Sequence, residues 1–186
     1  MANAPPDESP SLQAFQDAWA HLRKCAQEFL NGWKQDGIPP RWALLQSLRK
    51  LDRTRIALLG DDLPFPFMPR MYLATLDDGW GHGLDAIELA GRGLGAPVRR
   101  LGLMMAPEQI LAACVAEPPH ILGLTVLHND SEPALARICR GIPPQTAVLG
   151  GGTAFSLDPD LAQRTGVHKV ARHARDFLHF LLTYAP

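Results

Sequence analysis

The chain has 186 residues, 46% of them apolar and 20% charged, which suits one ordinary domain with a helical appendage and excludes global disorder. Lys and Arg total 18 against 19 Asp and Glu, a net charge of −1, which argues against gripping a nucleic-acid backbone and against a polybasic membrane anchor. No run of about 18 apolar residues occurs, the first ten residues lack an apolar signal core, and the three dispersed cysteines form no CxxC pair, so the expected compartment is a reducing cytosol.

Residues 1–10, with Pro5, Pro6 and Pro10, read as a frayed tail. From Ser11 the pattern changes. Leu12, Phe15, Trp19, Leu22, Ala26, Phe29 and Trp33 recur every three or four residues, the signature of an amphipathic helix that Gly37 and Pro39-Pro40 terminate. A second helix is expected from Arg41, with Trp42, Leu45 and Leu48 on one face. Ile56 to Leu59 fit either its last turn or a short strand. Residues 60–69 contain three prolines in six residues and read as a linker, while Phe65, Phe67 and Met68 suggest that it lies against apolar surface.

Strand-like and helix-like segments then alternate. Strands are expected at 71–76, 97–103, 120–127, 146–149 and 168–171, and helices at 83–94, 107–116, 132–139, 158–164 and 174–184. Five strands separated by helices imply a parallel sheet covered on both faces, a flavodoxin- or Rossmann-like α/β domain. The expected organisation is a tail over 1–10, a helical module and linker over 11–69, and the α/β domain over 70–186. Right-handed crossovers bring every strand's carboxyl end to one edge, where ligands of such sheets bind.

Three loops share that edge: Asp77-Asp78-Gly79-Trp80-Gly81-His82-Gly83, Thr125-Val126-Leu127-His128-Asn129-Asp130, and Gly150-Gly151-Gly152-Thr153. Successive glycines remove side chains and let backbone approach something flat or long, although a plain flexible turn explains a lone triple glycine as well. Gly91-Arg92-Gly93-Leu94-Gly95 lies at a helix end and reads as a C-cap and turn, not as a dinucleotide fingerprint. Arg41, Arg49, Lys50, Arg53 and Arg55 give the second helix a basic, solvated face. Trp19, Trp33 and Trp42 read as packing between helices and sheet, and Cys114 and Cys139 as core.

In these loops the chain resembles the cobalamin-binding domain of methionine synthases, corrinoid methyltransferase carriers and corrinoid-based light sensors. That family has Asp-x-His-x-x-Gly after its first strand, Ser-x-Leu after its third and Gly-Gly after its fourth. Asp78, Gly83, Thr125, Leu127, Gly150 and Gly151 stand on those positions, with Gly152 extending the last. Leu101-Gly102, the MMAPEQI stretch over 104–110 and the ILGLT stretch over 121–125 resemble the family's intervening segments, so the likeness runs from Met71 onward.

The resemblance implies a bound tetrapyrrole, most directly a cobalamin, in a sensor or carrier more readily than in an enzyme. The cofactor's lower tail would slot between the Thr125-Leu127 and Gly150-Gly152 loops, and a protein partner would read or use the loaded state. Trp80 stands where the family carries its cobalt-ligating histidine, and an indole has no lone pair to give a metal. His82 and His128 are the alternative axial ligands, and Trp80 the candidate to stack on the ring. Haem is the alternative cofactor, for which a histidine would suit iron. Two other readings are a corrinoid carrier within a methyltransferase system and a degenerate domain that binds only a protein partner.

Overall fold

The computed structural model describes residues 10–60 and 64–184. The tail expected over 1–10 lies outside them except for Pro10, and residues 61–63 of the expected linker lie outside them too. Five parallel strands form one sheet: β1 (Met71–Thr75), β2 (Val98–Gly102), β3 (Ile121–Thr125), β4 (Ala147–Gly151) and β5 (Lys169–Val170). Their spatial order is β2-β1-β3-β4-β5, so the chain reverses its direction of sheet growth between β1 and β3. This is a Rossmann-like α/β fold, and the reversal is the point at which open sheets leave a crevice outside their carboxyl ends.

The sequences of the strands follow from their places. β1 (MYLAT) and β3 (ILGLT) are buried at every residue because helices cover both faces of these central strands. β2 (VRRLG), at the edge, exposes Arg99 and Arg100. The pleat divides the residues between two cores. Met71 and Leu73 face one, Tyr72 and Ala74 the other.

The second core lies under α4 (Pro107–Ala116), α5 (Glu132–Gly141) and α7 (Leu161–Thr165). The first lies under α3 (His82–Gly93) and α8 (Ala174–Tyr184), and it runs without a break into α1 (Leu12–Gln35) and α2 (Arg41–Leu59).

α1 starts where the Ser11 hydroxyl accepts the Ala14 amide at 3.2 Å. It buries Ala18, Trp19, Leu22, Ala26, Leu30 and Trp33; of the expected stripe, Phe15 and Phe29 are partly buried and Leu12, at the helix start, is 60% exposed. α2 is one continuous helix to Leu59, closed by Gly60 in the left-handed conformation, so Ile56 to Leu59 are its last turn and not a strand. It crosses close to α3: a Cβ on Gly93 would sit 3.2 Å from the Asp52 backbone nitrogen and 3.3 Å from the Leu51 side chain, so the glycine eases a tight approach. The segment before β1 packs through Phe65, which is 1% exposed and makes edge contacts with Phe15 and Trp19 at 5.7 and 6.2 Å between centroids.

Three expectations need correction. Arg55 is not on a solvated basic face; it is 2% exposed and donates to Asp52 at 3.0 Å, because it falls on the side of α2 that meets the fold. Trp42 is not packing, since it is 66% exposed on the opposite side of that helix from Leu44, Leu48 and Leu51. The helix expected over 158–164 begins only at Leu161, as α7, and an unforeseen short helix, α6 (Ala154–Leu157), precedes it immediately after the glycines.

A candidate cofactor cavity at the carboxyl edge of the sheet

A cavity of about 660 Å³ opens where the β1, β3 and β4 strands end, roofed by the α1–α2 connection. Its volume lies within the range of about 300–1,000 Å³ usual for small-molecule sites. Ile38, Pro39 and Leu44 line the roof, and Ala86 and Ile87 of α3 line one wall. The Arg41 guanidinium, also on the lining, donates to Asp85 of α3 at 3.0 Å, and Arg100 of β2 donates to the same carboxylate at 2.8 Å.

The β1 loop is built by its own polar groups. The buried Thr75 hydroxyl donates to the Asp78 carbonyl at 2.6 Å and accepts the Met104 amide at 2.9 Å. The Asp78 carboxylate accepts the amides of Trp80 and Gly81 at 2.8 and 3.0 Å, an Asx turn that leads into α3. Asp78 is 4% exposed, so its carboxylate is committed to shaping the loop. Trp80, 80% exposed, stands at the cavity rim, with the His82 ring 6.0 Å away between centroids and tilted by 31°.

Thr125, the last residue of β3, is 4% exposed and faces the cavity. Among the described residues its hydroxyl has no hydrogen-bond partner. A Cβ on Gly83 would lie 3.4 Å from that oxygen, so the missing side chain at Gly83 keeps the hydroxyl accessible from the cavity. Leu127 lines the cavity beside it.

The loop carrying Leu127 is held by Asp77, whose carboxylate accepts the Leu127 amide at 2.8 Å, the His128 amide at 2.9 Å and the Ser131 hydroxyl at 2.7 Å. Adjacent aspartates at a strand end point to opposite sides. Each stitches a different loop, Asp78 its own and Asp77 its neighbour's. Strand alternation put the two carboxylates on opposite faces, but only the pairing of β1 with β3 reveals what Asp77 holds.

The three glycines after Leu149 have separate duties. Gly150 faces the other side of the sheet, where the Phe155 ring of α6 occupies the space a Cβ would need. It does not line the cavity, unlike the two glycines that follow it. Gly151 and Gly152 do line it. A Cβ on Gly151 would approach the Ala171 carbonyl at 3.0 Å, and Gly152, at φ +106°, has its Cβ position blocked by the Val126 backbone. Thr153 then ties the β4 loop to the β3 loop, its hydroxyl donating to the Leu127 carbonyl at 2.9 Å.

The cavity thus brings together Asp78, Trp80, His82, Gly83, Thr125, Leu127, Gly151 and Gly152. His128 is not among its lining residues: its amide is turned to Asp77 and its side chain is exposed. Sequence reasoning missed Arg172 and His173, which follow β5 and line the same space. Their signal was topological, since they end the fifth strand at the edge where the other loops meet.

The chain matches no protein-family model, and no curated protein matches it. Solved structures do resemble it. A cobalamin-binding protein from Desulfitobacterium hafniense DCB-2 superposes with a TM-score of 0.70 at 16% identity, covering 94% of this chain and 90% of that one. The methanol:cobalamin methyltransferase complex of Methanosarcina barkeri gives 0.54 at 15% identity, over 96% and 84%. The monomethylamine corrinoid protein of Methanosarcina barkeri gives 0.52 at 12% identity, over 90% and 98%. At these identities the likeness is one of fold, and it extends through the N-terminal helices as well as the sheet: this chain has the fold in which those cobalamin and corrinoid proteins are built.

Proposed function

We propose that the chain binds a cobalamin and serves as a sensor or carrier of it, with the cofactor's nucleotide tail in the cavity and the macrocycle above its rim. One observation carries this reading. At the β1/β3 reversal the cavity presents the Thr125 hydroxyl, unbonded among the described residues, beside Gly83, which has no side chain to cover it, and beside bare backbone at Gly151 and Gly152. The likeness to solved cobalamin-binding and corrinoid proteins supports it independently.

The residues present fit the tail better than they fit a metal. Thr125 offers a hydroxyl, Gly83 offers clearance above it, and Leu44, Ile87 and Leu127 offer apolar walls. When bound, the cofactor would supply a cobalt-centred ring able to exchange its upper ligand. Trp80 gives that ring a flat apolar neighbour and no lone pair. His82 stays the candidate donor from this loop, being on the rim beside Trp80. The apolar roof over the cavity is the element through which loading would be felt by the helical module or a partner.

Incubating the purified chain with hydroxocobalamin or haemin, followed by gel filtration and absorbance spectra, tests the reading. Stoichiometric co-elution of the cobalamin is expected. Retention of haemin alone would transfer the cavity to haem with His82 as donor, and retention of neither would defeat the proposal.

A further inference from the structure

The cavity is lined unevenly. Trp80 and most of its bulky apolar side chains, Ile87, Leu44 and Ile38, come from the β1 loop, α3 and the roof, where Arg41 and His82 also stand. Where β4 and β5 end, the lining holds Thr153, Ser156, Arg172 and His173, with only the small apolar Ala171 and Ala174 beside them. Among the described residues Asp78 is the only carboxylate on the lining, and the loop amides of Trp80 and Gly81 already occupy it. The two lining guanidiniums also differ. Arg41 is paired with Asp85 at 3.0 Å, whereas among the described residues the Arg172 guanidinium has no carboxylate partner. The nearby Asp176 carboxylate accepts the Arg172 backbone amide at 3.2 Å and lies 3.6 Å from Arg175.

We infer that Arg172, together with His173, binds an anionic group of the ligand, and that this group is the phosphodiester of the cofactor's nucleotide tail. A guanidinium offers a fork of N–H donors suited to phosphate oxygens. Ser156 adds a hydroxyl donor on the same side, whereas the Thr153 hydroxyl already donates to the Leu127 carbonyl. The ligand is thereby oriented, its anionic link toward the β4–β5 corner and its flat apolar parts toward Trp80 and α3. The inference rests on cobalamin binding as proposed above and adds the residue that makes the cavity select for a tail-bearing corrinoid.

Cobinamide, a corrinoid without the nucleotide, is the probe that separates the two ideas. Spectrophotometric titration gives the affinities of wild type, Arg172→Gln and Arg172→Lys for hydroxocobalamin and for cobinamide. Arg172 is exposed, and circular dichroism checks that each variant stays folded. The preference for cobalamin over cobinamide should fall about tenfold in Arg172→Gln, the loss of one charge-assisted hydrogen bond. It should be partly restored in Arg172→Lys and should weaken with added salt. A preference unchanged in Arg172→Gln would overturn the inference and leave cobalamin binding standing. Failure of the wild type to bind cobalamin would overturn both.

Discussion

Gly83→Leu separates the fold from the site. Gly83 is the second residue of α3, and its backbone is not in the left-handed region, so a side chain is sterically allowed there. A new Cβ would meet Thr125 at 3.4 Å from its hydroxyl oxygen and 3.5 Å from its methyl carbon, ordinary contact distances. Leucine in place of glycine gains up to about 0.8 kcal/mol of helix propensity, less in a first turn, so stability should be unchanged or slightly raised. The remaining side-chain carbons must extend into the cavity and over the Thr125 hydroxyl.

A ligand tail seated there would meet overpacking of about 1–3 kcal/mol and lose a hydrogen bond of about 1 kcal/mol. Together these weaken binding by roughly 30- to 1,000-fold. Urea unfolding reads the first effect and titration with hydroxocobalamin the second. Wild-type affinity in a folded Gly83→Leu protein would mean that the tail does not enter between α3 and Thr125. Loss of the fold would mean that the space beside Gly83 is not there.

Three further outcomes follow from other parts of the molecule. Asp77→Ala removes three accepted hydrogen bonds from a half-buried carboxylate and should cost about 2 kcal/mol in urea unfolding, with Asp77→Asn costing about half as much; a change below about 0.5 kcal/mol would refute the stitching role. Trp80→His alters an exposed side chain, so stability should move by less than about 0.5 kcal/mol while the bound cobalamin spectrum shifts toward a histidine-ligated form; tight binding with an unshifted spectrum would put position 80 away from the ring. Hydrogen bonds from Arg164 to Glu132 and Asp158 hold both carboxyls below their ordinary range. Because their folded values are lowered, the stabilisation is complete above the unfolded range near pH 4 and is lost as the pH falls through the lowered values. Arg164→Gln should therefore flatten the acid limb of the stability profile, and an identical limb would contradict the pairing.

Much of this architecture was legible because its signals are periodic. Most of the α1 stripe and the apolar β1 and β3 runs each follow from one rule of local geometry, whereas the end of α2 at Gly60 was left open by its sequence. The site was legible to the extent that it lies at strand ends, which is how Thr125, Leu127, Gly83 and Gly151 come to share one cavity.

What escaped depends on parity and on long-range pairing. Gly150 and Gly151 are indistinguishable as letters, but the pleat sends one to Phe155 and the other to the cavity, and a strand boundary set two residues short hides which is which. Arg55 looked like one more cation on a basic helix until α2 docked with that side inward. Asp77, Arg172 and His173 acquire meaning only when β3 lies beside β1 and β5 beside β4, contacts that no local pattern encodes. The four-residue helix α6 was missed because it is too short to display a period.

The central claim is that the nucleotide tail leaves the cobalt and enters the cavity, and the coordination state of bound cobalamin tests it most directly. The absorption spectrum of methylcobalamin bound to the chain at neutral pH should be that of the form whose benzimidazole is off the metal, and Gly83→Leu should abolish the signal. A bound cofactor that keeps its own base on cobalt would contradict the account.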